Sequence, residues 1–259
     1  MIRVEQASVR YRGRLAMHPT SLAVAPGTFT IVVGPNGAGK STLMKLMAGE
    51  LAPDGGRVLL DDRALASIPP RELARRRAVL PQNSALAFPF TVAEVVRLGL
   101  DAGGRPSRAQ DIVEALERVD LAGFSGRYYQ ELSGGEQQRV HLARVLCQIG
   151  EPVSDGVPRY LFLDEPISSL DIRHQLAVLQ IGRDFARAGG GVVAVLHDLN
   201  LAAGFADRLV VVSQGSIAAD GPPAGTLTDA LIESVFRLPL RVGTLPQPGI
   251  PFVLPQTAA

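Results

Sequence analysis

The 259-residue sequence has no tryptophan, a single cysteine and almost no net charge. Because Cys147 is alone, no disulfide can form within the chain, which suits a small buried side chain in a reducing compartment. Lysine and arginine (26) nearly balance aspartate and glutamate (25). The charge therefore does not predict a surface that coats nucleic acid or a polybasic membrane anchor, and any ligand must be inferred from local motifs.

Long apolar runs are also absent. The most apolar stretches, such as Phe29–Val33 and 192–196, are far shorter than the ~20 residues that a helix needs to cross a bilayer. The first five residues alternate like a strand and lack the charged-then-apolar layout of a secretory signal. We expect a protein that is not exported and that, if it works at a membrane, does so from one side.

Short apolar runs alternate with helical patterns along the chain, which predicts an α/β fold with a mostly parallel core sheet. Residues 91–99 and the amphipathic stretch 107–119 predict a helical subdomain inserted between strands. The Gly- and Asp-rich segment 149–158 is typical of a surface loop, and the Pro-punctuated tail from residue 239 is expected to be irregular. The predicted strands are 29–33, 77–80, 160–163, 192–196 and 209–212.

A glycine-rich segment carries the strongest chemical signal. It fits the pattern G-x-x-x-x-G-K-[ST], follows a predicted strand and leads into a helical run that opens with Thr42. Backbone N–H groups of such a loop surround phosphate oxygens, Lys40 would neutralise the β- and γ-phosphates, and Ser41 would ligate Mg²⁺. With Thr42 included, the predicted nucleotide-binding residues are Gly34, Pro35, Asn36, Gly37, Ala38, Gly39, Lys40, Ser41 and Thr42.

Two acidic residues end the apolar run at 160–163. Carboxylates are costly at such a place unless they meet a cation or take part in proton transfer. Asp164 would hold the Mg²⁺ shell, and Glu165 would polarise the attacking water. Taken without the phosphate-binding loop, the same pair would fit a helix cap equally well.

Gln82 and His197 also follow predicted strands. Open α/β sheets bind their ligands beyond the carboxyl ends of the strands, so these side chains are expected beside the loop and the acids. Gln82 could coordinate Mg²⁺ or the lytic water, and His197 could hydrogen-bond the γ-phosphate. For a lone histidine at a strand end, a structural role is the alternative.

The segment around Ser133, Gly134 and Gly135 begins a second helix with glycines at its start. Helix N-termini bind anions, and glycine allows close backbone approach. One chain does not need two such sites for one triphosphate. The economical interpretation is that this second site serves a nucleotide bound to another copy of the chain.

Taken in chain order, these motifs resemble the ABC transporter ATPase family over nearly the whole sequence. The resemblance implies a P-loop NTPase domain over residues 1–238, with an N-terminal antiparallel β part, a helical subdomain at about 86–150, and a separate tail at 239–259. It further implies a homodimer in which Ser133, Gly134 and Gly135 close over ATP held by the partner, with Asp171 in a dimer-facing loop. Tyr11, just before the first strand pair, would stack on adenine. The motifs are 34–41, Gln82, 132–137, 163–165, 168–171 and His197.

Residues 88–92 and 196–202 resemble the importer branch that moves haem, iron-siderophores and cobalamin, and the long interval between Ser133 and Asp164 resembles that of haem-importer ATPases. The resemblance implies an ATPase that uses ATP and Mg²⁺ at the cytoplasmic face of the bacterial inner membrane. Its partners would be two membrane-spanning permease subunits and, indirectly, a periplasmic substrate-binding protein, with no nucleic acid. Siderophore and cobalamin import stay open, because the loop at 150–158 could be a neutral insertion.

Other classes remain to be weighed. Soluble ABC ATPases of DNA repair or translation usually carry coiled-coil arms or tandem cassettes, and neither pattern is visible. A regulatory nucleotide binder without hydrolysis would be favoured by the loss of Glu165 or His197, yet both are present. Phe88 and Phe90 either pack in the core or line a groove for a helix of a membrane subunit.

Overall fold

The apolar and alternating runs form strands, as predicted. The computed structural model describes residues 1–82, 86 and 88–254. Residue 87 of the predicted helical subdomain and residues 255–259 of the predicted tail lie outside the described residues. The strands are β1 (Ile2–Tyr11), β2 (Arg14–Val24), β3 (Phe29–Val33), β4 (Gly55–Leu60), β5 (Arg63–Ala64), β6 (Arg77–Leu80), β7 (Val153–Ser154), β8 (Val157–Pro158), β9 (Tyr160–Asp164), β10 (Gly191–Val195), β11 (Arg208–Ser213) and β12 (Ser216–Gly221).

The core sheet has six strands in the order β12-β11-β3-β10-β9-β6. All neighbours are parallel except the edge pair β11–β12, which confirms the predicted mostly parallel sheet. Because parallel strands end on the same side, the segments that follow β3, β6, β9 and β10 meet at one edge of the sheet.

The N-terminal part forms a second, antiparallel sheet in the order β2-β1-β4-β5, as the family resemblance implied. The prediction that Tyr11 lies just before the first strand pair is wrong. Tyr11 is the last residue of β1 and pairs with Arg14, because Arg12 and Gly13 take positive φ angles of 49° and 81° and close a two-residue turn.

Helices cover both faces of the core sheet. Two of them begin with reciprocal side-chain caps, Thr91 with Glu94 and Ser133 with Glu136, which satisfy N–H groups that a helix start leaves free. The helices are α1 (Lys40–Ala48), α2 (Pro70–Arg76), α3 (Val92–Gly103), α4 (Ala109–Arg118), α5 (Gly134–Ile149), α6 (Ile172–Arg187), α7 (Leu199–Phe205), α8 (Pro223–Thr226) and α9 (Asp229–Leu231), the last running into a π-turn at Ile232–Phe236.

Three helices, α3, α4 and α5, lie within the predicted range of the helical subdomain. Helix α3 packs closely on α5 at Gly99, where an added Cβ would overlap the backbone carbonyl of Arg144. Ile112 and Leu116 on α4 and Val119 just after it are buried, as their spacing predicted. Helix α5 therefore packs on the subdomain helix α3 in its second half, while its buried residues join the hydrophobic core.

The predicted surface loop at 149–158 is instead a short hairpin of β7 and β8. Asp155 and Gly156 take φ angles of 52° and 73°, which is the two-residue turn that an Asp-Gly pair favours. The predicted irregular tail has neither helix nor strand over residues 239–254.

Two hydrophobic clusters lie on opposite faces of the core sheet, and strand residues alternate between them. Leu161 and Leu163 face the cluster with α5 and α6, whereas Phe162 faces the cluster with α1 and the antiparallel sheet. Cys147 is buried in the first cluster, and burial raises the pKa of its thiol to about 11, in keeping with the expected apolar role. Over the described ranges 1–82, 86 and 88–254, every helix is too short or too polar to cross a bilayer.

Candidate nucleotide site

The predicted phosphate-binding loop connects the fully buried strand β3 to helix α1. Gly34 has φ 151°, and a Cβ at this position would overlap the carbonyl of Val212 on the neighbouring strand. Gly39, the N-cap of α1, has φ 107°, which side-chain-bearing residues rarely adopt. The glycines at these two positions are therefore required by the path of the chain, and the loop opens onto a helix N-terminus.

Lys40 points back into the loop. Its Nζ donates hydrogen bonds to the carbonyls of Gly34 and Pro35, at 2.9 and 3.0 Å. The residue is only 6% exposed. Burial lowers the pKa of Lys40, while the carboxylates of Glu165 and Asp164 act in the opposite direction. A buried ammonium held only by carbonyls is a ready partner for phosphate oxygens.

Asp164 is the last residue of β9 and is buried next to the loop. The Ser41 hydroxyl donates to its Oδ1 over 3.4 Å. Burial raises the pKa of Asp164, and the charge of Glu165 adds to that rise. An adjacent cation would stabilise the ionised carboxylate, so Asp164 is suited to binding a metal ion.

The side chains at this place fit Mg²⁺. The hydroxyl of Ser41, the carboxylate of Asp164 and the amide of Gln82 each offer an oxygen atom as a metal ligand. In the chain outside residues 83–85, 87 and 255–259, no group of three or more His, Cys, Asp or Glu side chains could hold a metal. Mg²⁺ commonly uses one or two carboxylates and completes its shell with phosphate and water, so a single buried acid suits it.

Glu165 lies directly after β9 and is held from two sides. Its Oε2 accepts a hydrogen bond from Gln82 Nε2 at 2.8 Å, and its Oε1 lies 2.6 Å from His197 Nε2. The Glu165 side chain is 14% exposed, whereas that of His197 is 46% exposed. The parallel sheet therefore brings the three predicted catalytic side chains into direct contact, although they come from separate segments.

One pocket of about 770 Å³ joins these groups. Tyr11, which is 48% exposed, lies in its wall, where an aromatic ring could stack on a base. Gly34 and Pro35 at the start of the loop do not line it, and neither does Asp164, which contacts the loop through Ser41. The lining residues are Tyr11, Leu15, Ala16, Asn36, Gly37, Ala38, Gly39, Lys40, Ser41, Thr42, Gln82, Glu165, His197, Gln214 and Gly215.

Leu15, Ala16, Gln214 and Gly215 are lining residues that sequence reasoning missed. The turn between β11 and β12 supports the loop, because Gly215 N–H donates to the Ala38 carbonyl at 2.8 Å. Gln214 and Gly215 have φ angles of 48° and 73°. Gln-Gly could have predicted a turn, but no local signal tells that this turn touches residue 38.

Besides Gly34 and Pro35, four predicted nucleotide-binding residues do not line this pocket. Ser133 caps α5 and is followed by Gly134 and Gly135 at the exposed start of that helix. Asp171 caps α6, where its carboxylate accepts from the His174 backbone N–H and contacts the His174 ring. Within one chain these residues form a separate surface.

Phe88 and Phe90 differ in their surroundings, although their rings meet edge to face with centroids 6.3 Å apart. Phe88 is 68% exposed, while Phe90 is partly buried and packs on the sheet core. Tyr128, close in the fold to Thr91, is also exposed. Core packing thus applies to Phe90, and for the exposed Phe88 the groove interpretation stays a prediction.

The chain is similar in sequence to a known protein family and to two of its members. A family model described as "ABC transporter" matches residues 17–168. The chain is 57% identical over 260 residues to the hemin import ATP-binding protein HmuV of Rhizobium meliloti (strain 1021), covering 100% of this chain and 99% of the relative. It is 55% identical over 263 residues to the hemin import ATP-binding protein HmuV of Mesorhizobium japonicum, with the same coverage.

Structural comparison gives the same answer for the fold. The dimeric post-hydrolysis ATP-binding cassette MJ0796, bound to ADP and Pi, superposes with a TM-score of 0.76 at 25% identity. The match covers 86% of this chain and 99% of that one. A bacterial Atm1-family ABC exporter with ATP bound superposes with a TM-score of 0.75 at 28% identity, over 86% of this chain and 39% of the exporter chain.

Proposed function

The chain belongs to the ABC transporter family, and from that premise we propose that it is the ATP-hydrolysing subunit of a bacterial importer that takes up haem. The observation that carries hydrolysis is the Glu165 carboxylate, held between Gln82 and His197 at the mouth of the phosphate-binding loop. A protein that only bound nucleotide would not need a carboxylate at this place.

Binding begins with exchange of partners in the loop. Lys40 leaves the carbonyls of Gly34 and Pro35 for phosphate oxygens, which compensate its buried charge better than neutral carbonyls do. Ser41 and Asp164 would hold Mg²⁺, with Gln82 at the same edge of the sheet. When bound, Mg²⁺ neutralises the phosphate charge that develops during transfer.

Glu165 acts as the base and orients the attacking water, with Gln82 and His197 beside it. The Glu165 carboxylate accepts a hydrogen bond from Gln82 and contacts His197. Arrival of the γ-phosphate gives Gln82 and His197 a stronger acceptor, and Glu165 is released toward the water. The exposed His197 would thus report whether a γ-phosphate is present.

The second half of each nucleotide site comes from another copy of the chain. Ser133, Gly134 and Gly135 lie outside the pocket of their own chain but at an exposed helix N-terminus that can receive phosphate. Asp171 lies on a neighbouring exposed turn. A head-to-tail homodimer that sandwiches two ATP molecules uses both surfaces.

Transport requires membrane partners, which we propose to be two permease subunits that receive substrate from a periplasmic binding protein. The exposed Phe88, close in sequence to Gln82, would contact a permease helix, while Phe90 anchors the segment to the core. The chain would then work at the cytoplasmic face of the inner membrane. Haem is the proposed cargo because full-length relatives more than half identical are named hemin import proteins.

The test is the purified transporter in lipid vesicles, with substrate delivered by its binding protein. We expect haem to stimulate ATP hydrolysis more than cobalamin or a ferric siderophore does, and Glu165→Gln to reduce hydrolysis by at least ~10²-fold while ATP still binds. Stimulation by cobalamin alone would contradict haem import but not the ATPase. Near-normal turnover of Glu165→Gln would remove Glu165 from the role of base.

A further inference from the structure

Glu165 has an uncommon backbone conformation. Its φ of 50° lies in the left-handed region, where a Cβ crowds the backbone and residues other than glycine are seldom found. Such a residue relaxes toward the usual regions unless its surroundings hold it. The direction in which the Glu165 carboxylate points therefore depends on what holds this peptide.

Among the described residues, two donate hydrogen bonds to the Glu165 carbonyl. The backbone N–H and hydroxyl of Ser168 lie 3.4 and 3.2 Å from it, but Ser168 belongs to the same turn. The side-chain Nε2 of Gln138 lies 3.1 Å away and comes from α5. Gln138 is thus the contact that ties this carbonyl to another element of the fold.

We propose that Gln138 is a positioning residue for hydrolysis: its amide holds Glu165 in the left-handed conformation that presents the carboxylate to the nucleotide pocket. The inference rests on the proposed role of Glu165 as base. Without the Gln138 donor, the Glu165 peptide can rotate, and the carboxylate leaves the position beside Gln82 in which it meets the water.

Gln138 and His141 both line a polar cavity of about 180 Å³ between Gln82 and the start of α5. In the described part of the chain, Gln138 Oε1 and His141 Nδ1 are buried without a hydrogen-bond partner. Tyr129 holds the His141 ring from the other side, with its hydroxyl 2.9 Å from Nε2. Turning the amide around would bring two oxygens together at Glu165, so the donor end is fixed toward the carbonyl.

Helix α5 links this contact to the second nucleotide. It begins directly after Ser133, which is proposed to close over the ATP of the partner subunit, and Gln138 follows about 7 Å further along the axis. A helix of 16 residues moves as one body. Closure of Ser133 on one ATP would therefore set the position of Gln138, and with it the base that acts on the other ATP.

The test compares Gln138→Leu with Gln148→Leu in the purified transporter. Gln148 is a matched control, because it lies on α5 and its amide also donates to backbone carbonyls, those of Ala74 and Arg77 at 3.0 and 3.2 Å. We expect Gln138→Leu to lower kcat by roughly tenfold or more, with KM and ATP affinity within about twofold. Gln148→Leu should lower the melting temperature while kcat stays near that of the wild type.

A second variant distinguishes loss of the hydrogen-bond donor from a change in side-chain packing. Gln138→Glu keeps the size of the side chain but replaces the donor by an oxygen, so kcat should fall as it does in Gln138→Leu. Wild-type kcat in Gln138→Glu, or equal losses in the two leucine variants, would overturn the proposal. Glu165→Gln distinguishes failure of the proposed base from failure of the positioning role. If Glu165→Gln stays active, Glu165 is not the base. If it is inactive while the Gln138 variants keep the wild-type kcat, only the positioning role of Gln138 fails.

Discussion

His141 offers a quantitative test of the packing around α5, because it is a buried group whose ordinary pKa of 6.5 lies near neutral pH. The residue is 6% exposed, its ring lies edge-on to Tyr129 with centroids 5.3 Å apart, and Arg144 is the charged group that acts on it. Burial, with a smaller contribution from the Arg144 charge, lowers the pKa of His141 from 6.5 to about 4. The perturbation is His141→Gln, which keeps a polar side chain but cannot be protonated.

The lowered pKa makes the folded state less stable in acid. Between pH 6.5 and about 4 the unfolded chain binds a proton at this position that the folded chain does not, so protonation favours unfolding there. Integrated from pH 7 to pH 5, the difference is roughly 2 kcal/mol of unfolding free energy. The cost is nearly absent at pH 7, grows as the pH falls, and levels off below about 4.

Urea titrations at pH 7 and pH 5 measure the effect. The wild type should lose roughly 2 kcal/mol more than His141→Gln over this interval, because other titrating groups act equally in both proteins. His18→Gln is the control, since it makes the same chemical change at an exposed position. An equal loss of stability in the wild type and in His141→Gln would show that His141 is not buried in its neutral form.

Three further predictions concern the nucleotide site and its partners. Lys40→Ala should weaken ATP binding by roughly 10–100-fold in a binding titration, because it removes a charge directed at phosphate, and unchanged affinity would refute the loop assignment. When one chain carries Lys40→Ala and the other carries Ser133→Arg, both changes fall in the same composite site and the other site stays intact, whereas a dimer of one doubly substituted chain with one wild-type chain has each composite site damaged once. Only the dimer with the divided changes should retain hydrolysis, and hydrolysis retained only by the dimer of a doubly substituted and a wild-type chain would favour sites built within single chains. Phe88→Ser should reduce co-purification with the permease at an unchanged melting temperature, whereas Phe90→Ser should lower that temperature by roughly 2–10 °C because it leaves a gap at the core. The reverse pattern would exclude permease docking at Phe88.

The local sequence determined the phosphate-binding loop and the strand ends around it. The loop pattern between β3 and α1 depends on neighbouring residues, because glycine conformations and a helix start are properties of a few consecutive positions. Glu165, Gln82 and His197 were predictable for a related reason. Once strands are parallel, residues just beyond their carboxyl ends must meet, whatever the rest of the chain does.

Tertiary structure alone decided which groups surround and hold those residues. The bond from Gln138 to the Glu165 carbonyl and the approach of Gly215 to Ala38 join segments far apart in the chain, and nothing in either segment encodes the other. Tyr11 reached the pocket wall because a two-residue turn extended β1 further than the pattern indicated. The fold also kept Ser133 away from the pocket of its own chain. Such contacts depend on how strands and helices pack in three dimensions, which local spacing does not specify.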